Sequence, residues 1–164
     1  MRIIIMALLA LIVTAAALAE TIIEGNVSSK CIINTDTQGV YGNPTPDKLS
    51  TASADGGVLP VIRYDVSIAD YYIAKITTPS SFSTSPSLSD TVSWSGSTSV
   101  SNTSDAGMSG YETDKITYDN TTEFDLIIAG TTWFEVSSTA EYGYGKAFPG
   151  GVYRAVVQAE CIAK

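Results

Sequence analysis

Val92-Ser93-Trp94-Ser95-Gly96-Ser97-Thr98-Ser99-Val100-Ser101 decides the fold class. Serines at 93, 95, 97, 99 and 101 hold one parity, while Val92, Trp94 and Val100 hold the other. Successive side chains of a strand point to opposite faces, so this pattern describes a half-buried strand whose outer face is covered with hydroxyls. The stretch lies inside a Ser/Thr-dense region, residues 80–110, whose composition alone would also suit a disordered linker or a mucin-like stalk. Disorder does not require the alternation, and a strand does. Residues 80–89 and 102–110 on either side read as loops.

The same period of two recurs along the chain. Ile23, Gly25, Val27, Ser29, Cys31 and Ile33 alternate with Glu24, Asn26, Ser28 and Lys30. Residues 34–58, with Gly39, Gly42, Pro44, Pro46, Gly56 and Gly57, read as an irregular connection. Ile62, Tyr64, Val66 and Ile68 form the inward face of a second strand opposite Arg63, Asp65 and Ser67. Residues 71–77 form a third, its expected hairpin partner through Ala69-Asp70. Ile116 and Tyr118 mark a short strand. Phe124, Leu126 and Ile128 mark another, and Gly130 marks a bulge or turn before 133–136. A long final strand puts Tyr153, Ala155, Val157, Ala159, Cys161 and Ala163 on one face. No window past the N-terminal leader has helical spacing. Seven to nine short strands without helices predict an all-β, immunoglobulin-like antiparallel β-sandwich.

The first 19 residues read as a cleaved signal peptide: Arg2, an apolar run over 3–13, and Ala17-Leu18-Ala19 before Glu20. An uncleaved anchor is the alternative, but the apolar run is short for a span of about 20 residues. Residues 20–164 then form a single domain, exported to a periplasmic, fimbrial or extracellular location, with no further segment apolar enough to cross a bilayer. Export makes a Cys31–Cys161 disulfide the expected state, both cysteines falling on apolar faces. The alternatives are two free thiols or an intermolecular bridge.

Composition mainly excludes. Nine basic residues stand against seventeen acidic ones, for a net charge of −8, which disfavours nucleic acid and anionic membrane surfaces. There is no histidine, so the commonest metal ligand and near-neutral general base are missing, and a catalytic thiol would have no imidazole to activate it. Ser28-Ser29-Lys30 fits no nucleophile motif. Glu112 with Asp114, and Asp119 with Glu123, offer carboxylates but match no calcium loop and read as solvated charge. The expectation is a protein that is not an enzyme and takes no cofactor. Tyr142 and Tyr144, flanked by glycines, are the candidate exposed aromatics for a glycan or protein ligand.

The two ends of the chain resemble a known family. A leader, an alternating first strand with Gly25 and Val27 ahead of Cys31, and a last strand introduced by Phe148-Pro149-Gly150-Gly151-Val152-Tyr153 resemble bacterial chaperone–usher fimbrial subunits. The likeness is to archaic pilins and spore-coat-U-type domains, and it covers about 35 residues. It implies an incomplete sandwich completed by the N-terminal strand of a neighbouring subunit, with a periplasmic chaperone filling the gap beforehand. Ile23, Gly25 and Val27 would be the donated side chains. Two expectations follow: a structural or adhesive subunit that self-associates by strand addition, or a self-complete secreted binding domain that uses its loop tyrosines.

Overall fold

The structure, a computed structural model, describes residues 30–143 and 145–164. Among them are twelve strands: β1 (Cys31–Thr37), β2 (Gly42–Thr45), β3 (Lys48–Ser50), β4 (Val61–Val66), β5 (Tyr72–Thr77), β6 (Phe82–Thr84), β7 (Val92–Thr103), β8 (Ile116–Tyr118), β9 (Thr121–Leu126), β10 (Gly130–Tyr142), β11 (Arg154–Ala155) and β12 (Gln158–Ala163). Every ladder between them is antiparallel. The fold is the predicted all-β antiparallel sandwich. The count passes the expected seven to nine because β2, β3, β6 and β11 are pieces of two to four residues.

One sheet has the order β1-β4-β10-β3-β2, with β7 on the other side of β10. The second has the order β12-β5-β9-β8, and β11 and β6 make a small third sheet. The alternation read in the sequence is what the packing uses. On β4, Ile62, Tyr64 and Val66 are buried while Arg63 and Asp65 are half-buried on the outer face. On β10 the buried set is Thr132, Phe134, Val136, Ser138, Ala140 and Tyr142. Phe134 packs edge-on against Tyr64 at 5.4 Å between ring centres and against Phe124 at 4.4 Å. Tyr64 crosses the sandwich, its hydroxyl donating to the carbonyls of Lys75 on β5 (3.3 Å) and Glu160 on β12 (3.1 Å). A buried hydroxyl without such partners would cost a few kcal/mol.

Several local expectations need correction. β4 and β5 are not a hairpin: β4 pairs with β1 and β10, and β5 with β12 and β9, so the turn around Asp70 (φ 54°) carries the chain from one sheet to the other. Residues 34–58 are not wholly irregular, because β1 runs on to Thr37 and β2-β3 form a short hairpin. Residues 80–89 contain β6. Residues 102–110 contain the end of β7 and a 3-10 turn, Ala106–Gly110, whose first free N–H, that of Gly107, is capped by the Asp105 carboxylate at 2.7 Å. The turn leads into a four-residue helix, α1 (Tyr111–Asp114), and inserts Met108 and Tyr111 into the core. Gly130 (φ 147°) lies under this plug; a Cβ there would meet Met108 Cε and Ser104 Oγ at 2.6 Å, so only glycine fits. The final strand is two strands, β11 and β12, split at Val156-Val157 where the chain changes sheets.

Cys31 and Cys161 are disulfide-bonded, with Cα atoms 6.4 Å apart. Both strands are edges, β1 of the large sheet and β12 of the four-stranded one, so the bond staples the two layers along one side. No helix among the described residues is long and apolar enough to cross a membrane.

Candidate functional site

Of the two tyrosines expected at an exposed face, Tyr142 is buried. Tyr142 is the last residue of β10 rather than a loop residue, and only 5% of it is accessible. Its ring stacks on Phe148 at 5.2 Å, and its phenol oxygen accepts the Ser89 N–H at 2.8 Å. The Ser89 hydroxyl, 3.1 Å away, is the main influence drawing the phenol below its usual range. The sequence carried a signal for this burial, because Tyr142 shares its parity with Phe134, Val136 and Ala140. Ile23, Gly25, Val27 and Tyr144 lie outside the described residues.

Two of the carboxylates set aside as solvated charge, Glu112 and Glu123, have protein partners. Glu112 binds Lys115 and accepts the Val100 N–H at 2.8 Å, and Glu123 accepts the Tyr118 hydroxyl at 2.5 Å. Among the described residues no group of three His, Cys, Asp or Glu side chains is arranged to hold a metal ion.

One opening lies where both layers lose continuity. β10 pairs with β4 as far as Glu135 and with β3 from Thr139 onward, so the large sheet forks. Across the fork the Val136 N–H reaches Pro60 O (3.1 Å) and Ser138 O receives the Thr51 N–H (3.0 Å). Facing the fork, the last strand breaks at Val156-Val157, and these two residues belong to neither β11 nor β12. The space between is a groove of about 420 Å³, lined among others by Gln38, Tyr41, Ile62, Ser138, Val156 and Val157. It continues into a second depression of about 540 Å³ bordered by Val40, Leu49, Tyr153 and Arg154. Gln38, Gly39, Tyr41, Ala155 and Val156 line both.

The groove exposes two valines and carries a polar pair at its floor. Val40 and Val156 are 53% and 57% exposed, large values for valines beside a sandwich core. The bridge Val40–Val58, with N–H to O distances of 3.0 and 2.8 Å, fixes one rim. The Tyr41 hydroxyl and Ser138 Oγ share a hydrogen bond of 2.8 Å at the floor, and burial pushes the Tyr41 phenol up from its ordinary value. Behind the rim Phe82 contacts Trp94, Tyr153 and Phe148 at 4.7, 5.1 and 5.9 Å, pinning the 148–155 segment. Among the described residues no nucleophile–base pair lines the groove. The sequence hid it, since five of its twelve lining residues lie in 38–60, where no period exists to read.

No protein-family model, curated protein or solved structure matches the chain.

Proposed function

We propose that this protein is a non-enzymatic, exported structural subunit that assembles head to tail. The N-terminal segment of one copy adds as a strand in the groove of the next. The observation that supports it is the placement of entry and groove on β1. The chain enters β1 at Cys31, whereas the groove lies toward the other end of that strand, from Thr35 to Tyr41. With cleavage after Ala19, residues 20–29 span at most about 33–36 Å when fully extended. Travelling back along β1 from Cys31 to Thr35, where the groove begins, consumes about 13 Å of that, since strands rise about 3.3 Å per residue. A copy's own segment is left with about 20 Å and can lie along only part of the groove, while a neighbour's can lie along the whole of it. Entry at one end and acceptor at the other is a heterologous contact, which propagates into chains.

The chemistry of the pair agrees. Ile23, Gly25 and Val27 would present small and apolar side chains on one face, against Ile62, Tyr41, Val156 and Val157. A periplasmic chaperone would cover the exposed valines until a neighbour does so. The Cys31–Cys161 bond and the lack of a membrane-spanning helix among the described residues are compatible with export. The alternative, a self-complete binding domain, loses support from Tyr142, whose ring is already occupied by Phe148.

Deleting residues 20–27 should leave a folded, disulfide-bonded monomer that no longer assembles. Val156→Arg should produce the same loss by filling the groove with charge. Polymerisation at the original rate in both variants would overturn the reading.

A further inference from the structure

β7 has twelve residues and, among the described residues, pairs with β10 alone, which makes it an edge strand. Its outward backbone groups can be assigned from its partner. Val136 and Ser138 spend their main-chain groups on Pro60 and Thr51, on the far side of β10. The residues opposite them, Thr98 and Gly96, therefore direct theirs away from β10, as do Val92, Trp94 and Val100 by parity. Between Asp90 and Asp105 the sequence has no charged residue and no proline, the usual devices that protect an edge.

Two of these outward groups are occupied by side chains. Glu112 of α1 accepts the Val100 N–H at 2.8 Å, and Lys115 Nζ donates to Thr98 O at 3.0 Å. The two side chains are also bonded to each other. A carboxylate and an ammonium thus stand where the carbonyl and N–H of another strand would stand. Past them, Trp94, Ser95 and Gly96 are separated from Thr78–Ser80 and Asp119-Asn120 by a recess of about 280 Å³.

We propose that the Glu112–Lys115 pair is a plug that keeps β7 from pairing edge to edge with β7 of a second copy. A two-fold centred on Gly96 sets Trp94 against Thr98 and Val92 against Val100 of the other copy. Every outward pair except the central one then includes a residue that the plug holds. A second copy is the fitting occupant. In a chain of net charge −8 this is a long neutral strand, and self-pairing would align hydroxyl rows, Ser95 beside Ser97, with no like charges opposed. The inference does not depend on the N-terminal segment.

The test is sedimentation velocity on the oxidised protein. Glu112→Ala combined with Lys115→Ala should tighten self-association at least about tenfold over the parent. Glu112→Gln, which keeps an oxygen for the Val100 N–H, should not. Adding Ser95→Lys and Ser97→Lys to the unplugged variant should return it to the parent's behaviour, because the two-fold brings four lysines together. Should the double alanine variant fail to fold, judged by circular dichroism, Lys115→Ala alone should give a smaller increase from the freed Thr98 carbonyl. Parent-like behaviour of the folded unplugged protein, or association that survives the added lysines, would overturn the proposal. So would association that disappears when residues 20–27 are deleted, since the edge would then be taking an N-terminal segment.

Discussion

Removing the Cys31–Cys161 bond gives the sharpest test of how the sandwich is held. The bond spans 130 residues of sequence and joins the edge strands of both layers. On the chain-entropy account, opening a loop of that size returns about 17 cal/mol/K to the unfolded chain, or about 5 kcal/mol at 25 °C. Domains of this kind are stable by about 5–15 kcal/mol in total, so the bond supplies a large share. Cys31→Ala with Cys161→Ala should be compared with reduced parent protein in urea, followed by Trp94 and Trp133 fluorescence. With a slope of about 2 kcal/mol/M, the midpoint should fall by about 2.5 M in both, and the slope should rise as the unfolded chain expands. A loss under about 1 kcal/mol with unchanged slope would refute the argument. It would mean that non-covalent contacts alone hold the two edges together, or that the unfolded chain is already compact.

Other outcomes follow from the packing and the charges. Phe134→Ala, at a fully buried ring in contact with Tyr64 and Phe124, should cost about 3–5 kcal/mol in the same urea assay. Tyr142→Phe leaves the Ser89 N–H without its acceptor and should cost about 1–2 kcal/mol, readable as a lower melting temperature. Hydrogen bonding to Lys146 holds the Asp90 carboxyl below its ordinary value and in turn raises Lys146. The Asp90 contribution is therefore present above the ordinary carboxylate range and lost as pH falls through the depressed value. That of Lys146 is present below the ordinary lysine range and lost as pH rises through the raised value. With no histidine in the chain, melting temperature should stay flat between about pH 5.5 and 8.5. Asp90→Asn should flatten part of the acid limb.

Sequence and structure agree most closely where burial on one face imposes a period. Ile62, Tyr64 and Val66 sit in the core as read, and the serine row of β7 covers its outer face because a half-buried strand leaves no other arrangement. Pairing partners are another matter. Alternation fixes which way side chains face, but not which strand lies alongside. β4 and β5 therefore read as a hairpin although they belong to different sheets. The last strand shows the same limit. Its parity runs unbroken from Tyr153 to Ala163, yet the chain leaves β6 for β5 in the middle, a change that costs the side-chain pattern nothing. The groove was illegible for a related reason: it is made of what strands lack, at Pro60, the Val156-Val157 gap and the fork in β10. The cysteine pair was readable because two cysteines on inward parity, in a chain whose first residues read as a signal peptide, leave few options.

The position of the disulfide also decides how the molecule bears load. Tension applied to the chain before Cys31 and after Cys161 passes from the first strand through sulfur to the last. The residues between, over a sequence separation of 130, lie off that path. Unravelling them would otherwise release about 450 Å of slack, at about 3.5 Å per residue. With the bond intact none of it can pay out, and a pulled molecule answers as a short, inextensible link.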